Sequence, residues 1–311
     1  MGRFVSRHMP LIIPGCVVAG VCLPQVFHPL TGAVPFLFAF MTFQGALNNT
    51  LGQLAQEFRH PQKLLIILGI SLVFMPTLAH ALALVFYASD MNLVTGIVLE
   101  YSVPIGVVCF MWVGIFEGNG PLALAAILVS TVIAPFTIPA TLQVLLGKTV
   151  HIDAINMMVN MIFMIALPAL AGMLVNDATH GWGHERLSPA IDPACRLLLV
   201  LIITVNSSSM SSYVLHMMWL RASVAGFILV FAASGFVWGI VASRVLHLER
   251  RDMVTICFGT GLRNISSGAV IATQYFPGEV VFPVIAGTMF QQILTSLFGR
   301  VIERIAGRTG D

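Results

Sequence analysis

Apolar residues follow one another along this chain in runs of about twenty, separated by short polar turns rich in Gly, Pro, Asn and Asp. Runs of that length match the thickness of a bilayer core and predict membrane-spanning helices. The runs fall near 10–27, 33–49, 63–86, 93–115, 121–146, 154–175, 194–212, 219–246, 252–275 and 280–299. Arg3 and Arg7 precede the first run, which raises a secretory leader. Pro10 and Pro14 interrupt it, no small-x-small cleavage site follows, and another apolar run comes at once, so it reads as a retained first helix. Connections are short. The longest polar stretch, 176–193, reads as a linker between two halves.

Composition removes the soluble classes. Hydrophobic residues make up 58% of the 311 and charged residues 9%, against about 25% charged in an ordinary soluble domain. That excludes a soluble enzyme, a disordered chain and a nucleic-acid binder. The net charge of +2 implies no polyanionic partner. Cys16, Cys22, Cys109, Cys195 and Cys257 lie in or beside apolar runs without CxxC spacing, so they read as small hydrophobes. HExxH, GxSxG, P-loop and GxGxxG patterns are absent, and His184-Glu185 lacks a second histidine at metal-ligand spacing. No catalytic residue, metal site or enzyme activity is expected. The turn 117–121 reads as turn chemistry.

Ten spans put both termini on one side. Twelve of the fifteen basic residues fall on that side, among them Arg3, Arg7, Lys63, Arg250 and Arg251, and only Lys148 and Arg221 on the other. The bias predicts cytoplasmic termini in a cell membrane. Spans one to five (about 9–146) and six to ten (about 154–305) have similar lengths. Five is odd, so the second half must be inverted relative to the first, a plan of many secondary transporters. The fourth span of each half carries helix breakers: Pro104 and Gly106 in one, Gly259 and Gly261 in the other. Proline removes a backbone donor and glycine permits unwinding. Two breaks in matching positions point to a binding site at the membrane midplane.

Only Glu100 and Arg263 are charges deep inside spans, each costing several kcal/mol unless paired or hydrated. At about 1.5 Å per residue their depths differ by a few Å. An ion pair between them is expected, either structural or as a switch that opens when an anionic substrate competes for Arg263. Asn264 and Ser266 flank Arg263; Gln291 and Gln292 come from span ten and Asn206 from span seven. These are candidate substrate contacts, with interhelical hydrogen bonding as the other reading for such groups, for Ser207–Ser209, and for Thr42, Gln44 and His80.

Several stretches together resemble the bile acid:sodium symporter family: FMTFQGAL (40–47), HPQKLLIILGISLVFMP (60–76), VPIG (103–106), GNGPLALAAILVSTVIAPFTIP (118–139) and CFGTGLRNISSGAVIA (257–272). The resemblance implies ten helices in two inverted five-helix repeats. Helices one, two, six and seven would form a panel and the rest a core, with helices four and nine broken and crossing. It implies alternating access for an organic anion. Where the family carries sodium ligands, it implies departures. The helix-nine glutamate and glutamine positions read Gly259 and Arg263, with Asn264 kept. The helix-four serine–asparagine pair falls on Cys109 and Phe110, the helix-five hydroxyls on Ala123 and Ile127, and a helix-three glutamine on Ser71. Sodium needs hard oxygen ligands, and a guanidinium repels it. Arg263 therefore reads as a tethered cation, either holding the core together without sodium or binding a substrate carboxylate in a bidentate way.

The expected protein is thus an all-α polytopic membrane protein in one transmembrane domain. It works as a secondary transporter of a small organic anion in a lipid bilayer, with no cofactor and with sodium or a proton as candidate coupling ion. A sodium-independent exchanger or efflux carrier of the auxin-efflux-like type is the alternative, followed by a channel or scaffold. Substrate and oligomeric state are not legible.

Overall fold

The computed structural model describes residues 15–50, 52, 61–147, 149–150, 153–209, 211 and 218–306. Among the described residues every regular element is helical. Helical residues 15–22 and 24–27 lead into α1 (Val34–Ala46). Then come α2 (Pro61–Gly69), α3 (Met75–Tyr87), α4 (Met91–Ser102), α5 (Val108–Ile115) and α6 (Gly120–Leu146). The rest of the chain supplies α7 (Ala154–Met161), α8 (Leu167–Ala178), α9 (Ser188–Ser208) and α10 (Met218–Val245). It ends with α11 (Arg250–Gly261), α12 (Ile265–Tyr275) and α13 (Gly278–Ala306).

Seven of the described segments are long and apolar enough to cross a membrane, which makes this a multi-pass membrane protein. The runs expected at 93–115 and 252–275 are not among the seven, because each is two short helices, α4 with α5 and α11 with α12. The first expected run lies partly outside the described residues.

Three π-helical turns each end two residues before a proline: Ile70–Phe74 before Met75-Pro76, Ile162–Ala166 before Leu167-Pro168, and Gly183–Leu187 before Ser188-Pro189. Met75, Leu167 and Ser188 each donate five residues back, to Ile70, Ile162 and Gly183. A wider turn accommodates the proline ring without breaking the span.

The expected linker 176–193 is mostly helical, and the turn occupies only residues 179–181. Asn176, itself buried, closes it: its Oδ1 accepts from the His184 N–H at 3.0 Å and its Nδ2 donates to the Asn49 carbonyl at 3.1 Å. Polar residues here mark where helices leave the apolar layer, not where they end.

Two large apolar cores and a small third one, around Leu128 and Met173, hold the described residues together. One large core contains Val103, Val205, Val284 and Ile265; the other contains Ile105, Phe236, Phe258 and Leu262. The breaks in the two interrupted spans lie where these two cores meet.

Candidate functional site

The first break covers residues 103–107, between α4 and α5, as Pro104 and Gly106 predict. The second covers Leu262–Asn264, between α11 and α12. Gly259 and Gly261 were expected to unwind the second helix, but both are helical and sit in its last turn. They serve packing instead: a Cβ on Gly259 would press on Ile67 at 2.9 Å, and one on Gly261 would enter the Phe236 ring.

The two breaks cross and satisfy each other. Ile105 and Arg263 form an antiparallel bridge. Gly106 N–H donates to the Leu262 carbonyl at 3.3 Å, and Asn264 N–H donates to the Pro104 carbonyl at 2.8 Å. The Ser130 hydroxyl of α6 accepts from the Ile105 N–H at 3.1 Å, and Gln291 Oε1 of α13 accepts from the Arg263 N–H at 3.3 Å. In a lipid-like interior each such group left unpaired costs several kcal/mol, so broken helices persist only where protein supplies partners. Gly106 is needed sterically, since a Cβ there would meet the Arg263 carbonyl oxygen at 2.7 Å.

Glu100, one turn before the first break, and Arg263, inside the second, are 2% and 3% exposed. The expected ion pair does not form: no Glu100 oxygen lies within 4.0 Å of an Arg263 nitrogen. Oε2 of Glu100 and both terminal nitrogens of Arg263 are buried without hydrogen-bond partners. The carboxylate of Glu100 rests against Gly287, where a Cβ would collide with Oε1.

The other expected contacts divide. Asn264 caps α12, its side-chain oxygen accepting from the Ser267 N–H, and it is half-buried, as is Ser266. Gln291 reaches the Arg263 backbone. Gln292 is exposed and accepts from the Trp112 indole N–H at 3.1 Å, so it faces α5 rather than the crossing. Asn206, in α9, is 0% exposed, and both polar atoms of its side-chain amide lack partners. Ser207 and Ser208 bond carbonyls of their own helix, so they are not interhelical links. Gln44 is one, donating to Ser188 at 3.0 Å.

Sequence reasoning missed Ser130, Gly287 and a cluster at one end of the molecule. A serine or glycine inside a span carries no signal of its own; only the geometry shows that one holds a break and the other seats a carboxylate. In the end cluster Asp252, buried at the start of α11, pairs with Lys63 of α2 and accepts from Asn119 Nδ2 at 2.9 Å. Asn119 also caps α6. Ser71 donates to the Gly259 carbonyl at 3.0 Å, joining the first π turn to α11.

The sequence profile of the Sodium Bile acid symporter family matches residues 35–217. The chain is 34% identical to the uncharacterized protein YbaS of Bacillus subtilis (strain 168), over 95% of this chain and 97% of that protein. It is 24% identical to the probable sodium/metabolite cotransporter BASS1, chloroplastic, of Arabidopsis thaliana, over 98% of this chain and 76% of that protein. It is 18% identical to the uncharacterized sodium-dependent transporter YocS of Bacillus subtilis (strain 168), over 89% and 84%. With the profile covering more than half of the chain and YbaS matching nearly all of it, this multi-pass membrane protein belongs to the sodium bile acid symporter family of transporters.

Proposed function

We propose that the chain is a secondary transporter that carries a small organic anion across a cell membrane by alternating access, with both termini cytoplasmic. The observation that carries this reading is the Arg263 guanidinium, buried at the crossing with both terminal nitrogens unpartnered. A buried cation without a partner is costly, and a substrate carboxylate answers that cost with two charge-assisted hydrogen bonds. Asn264, Ser266, Gln291 and Asn206 are the further candidate contacts. The architecture behind it is ten helices in two inverted five-helix repeats, about 9–146 and 154–305, with helices four and nine crossing.

Sodium does not suit the residues present. Gly259 is packed against Ile67, Ser71 spends its hydroxyl on the Gly259 carbonyl, and Cys109 is wholly buried. With Phe110, Ala123 and Ile127 at the other family ligand positions, these described residues offer no free side-chain oxygen for a cation. This favours coupling to a proton through Glu100, or uncoupled exchange, although relatives such as YocS are named as sodium-dependent.

The test is uptake of organic acids into proteoliposomes under imposed sodium or proton gradients. Uptake that ignores sodium is expected, as is its loss in a folded Arg263→Ala protein. A strict sodium requirement overturns the coupling argument. Full transport by Arg263→Ala overturns the role of Arg263.

A further inference from the structure

Glu100 and Arg263 are two opposite charges, each more than nine-tenths buried, each with an unpartnered end, and held out of contact with one another. Removing a charge from water without a partner costs several kcal/mol. A direct salt bridge would have offset both costs at once. The fold forgoes it: the Glu100 carboxylate is seated at Gly287 on α13 and the Arg263 backbone is held in the bridge with Ile105.

Now consider what each kind of ligand leaves behind. A simple carboxylate that enters without a proton answers Arg263 but adds a second negative charge to a layer that already holds Glu100, whose Oε2 stays unpartnered. A simple amine does the converse. A molecule with a carboxylate and an ammonium group answers both, and the site stays electrically neutral. Its spacing must bridge groups that lie beyond ion-pair reach.

We infer that this site takes a zwitterion, an amino acid or amino-acid-like compound, with its carboxylate on Arg263 and its ammonium on Glu100. The inference rests on the proposed function and narrows its organic anion to a carboxylate that also carries a fixed positive group. Asn206 fits the same picture. Its amide offers an unused donor and an unused acceptor, and its neighbour Val205 belongs to the same apolar core as Val103 and Ile265, which border the two breaks.

The test is thermal unfolding of the purified full chain in sodium-free detergent solution, because a ligand of the folded state raises Tm. The probes are leucine with 4-methylpentanoate and 3-methylbutylamine, β-alanine with propionate and ethylamine, and 4-aminobutyrate with butyrate and propylamine. At least one amino acid should raise Tm by several degrees, with no shift from its matched acid or amine. Glu100→Gln should remove the preference for the amino acid over the matched acid, and Arg263→Gln should abolish stabilisation by both. If either variant does not fold, the ranking with the unaltered protein decides. Stabilisation by the matched acids equal to or above that by the amino acids, lost in Arg263→Gln, overturns this inference and leaves the organic-anion reading standing. Stabilisation by neither overturns both.

Discussion

The backbone N–H of Asn264 donates to the carbonyl of Pro104 at 2.8 Å, so the break in one span is closed by the break in the other. Two interruptions that would each strand polar backbone in an apolar layer become one joint when they cross. The joint is made by main chain, with Ser130 and Gln291 as side-chain supports. Arg263 contributes its backbone to the joint and leaves its guanidinium for other work.

Gly106 makes that joint possible. A Cβ at this position would lie 2.7 Å from the Arg263 carbonyl oxygen, which is backbone and cannot swing away. Gly106→Ala should therefore separate the breaks and destabilise the protein by about 1–3 kcal/mol, the usual range for overpacking a dense interior. Thermal unfolding in detergent measures it. A Tm equal to that of the unaltered protein would show that the joint tolerates the extra methyl group.

Ser130 should be more sensitive than its neighbour. Ser130→Ala leaves the buried Ile105 N–H without an acceptor, a loss of about 1–3 kcal/mol. The Thr131 hydroxyl bonds only the Ile127 carbonyl of its own helix, so Thr131→Ala should cost less. Parallel unfolding of the two variants gives the comparison, and equal losses would remove the special role of Ser130.

How far the sequence reached is plain at the two breaks. Pro104 with Gly106 marks the first, because one removes a backbone donor and the other tolerates unwinding; proline alone does not suffice, since Pro135 and Pro139 lie inside α6. The second was placed on Gly259 and Gly261 but lies at Leu262–Asn264. Glycine in a span signals either unwinding or close packing, and hydropathy does not separate the two. Seven of the expected spans are legible from run length, since they are long apolar helices among the described residues. The linker at 176–193 was not, because polar residues at the end of a membrane helix look like a loop. Glu100 and Arg263 stand out as rare intramembrane charges, but the seat of the Glu100 carboxylate against Gly287 is remote in sequence and silent in any pattern.

The Glu100–Gly287 contact predicts a coupled pair. Gly287→Ala drives a methyl group into the carboxylate, so it should lower stability in the presence of Glu100. In a Glu100→Ala background the obstacle is gone and the same change should be close to neutral. A double-mutant cycle should return a coupling of about 0.5–3 kcal/mol. Additive effects would mean that the carboxylate does not rest on Gly287.

The last prediction concerns the end cluster, where the two partners of an ion pair are unequally buried. The Asp252 side chain is 4% exposed and that of Lys63 is 41% exposed. Removing Lys63 leaves a buried carboxylate with Asn119 as its remaining side-chain donor. Removing the charge of Asp252 leaves a lysine that can turn to water. Lys63→Ala should therefore destabilise more than Asp252→Asn, which keeps an acceptor for Asn119. The loss should stay below the about 3–5 kcal/mol seen on breaking a fully buried pair, because solvent already screens Lys63. Adding Asp252→Asn to Lys63→Ala should recover most of the loss, since the uncompensated charge is then gone. Thermal unfolding of the two single variants and the double variant checks this order. A double variant less stable than Lys63→Ala alone would show that Asp252 supports this end of the fold through shape and hydrogen bonding rather than through its charge.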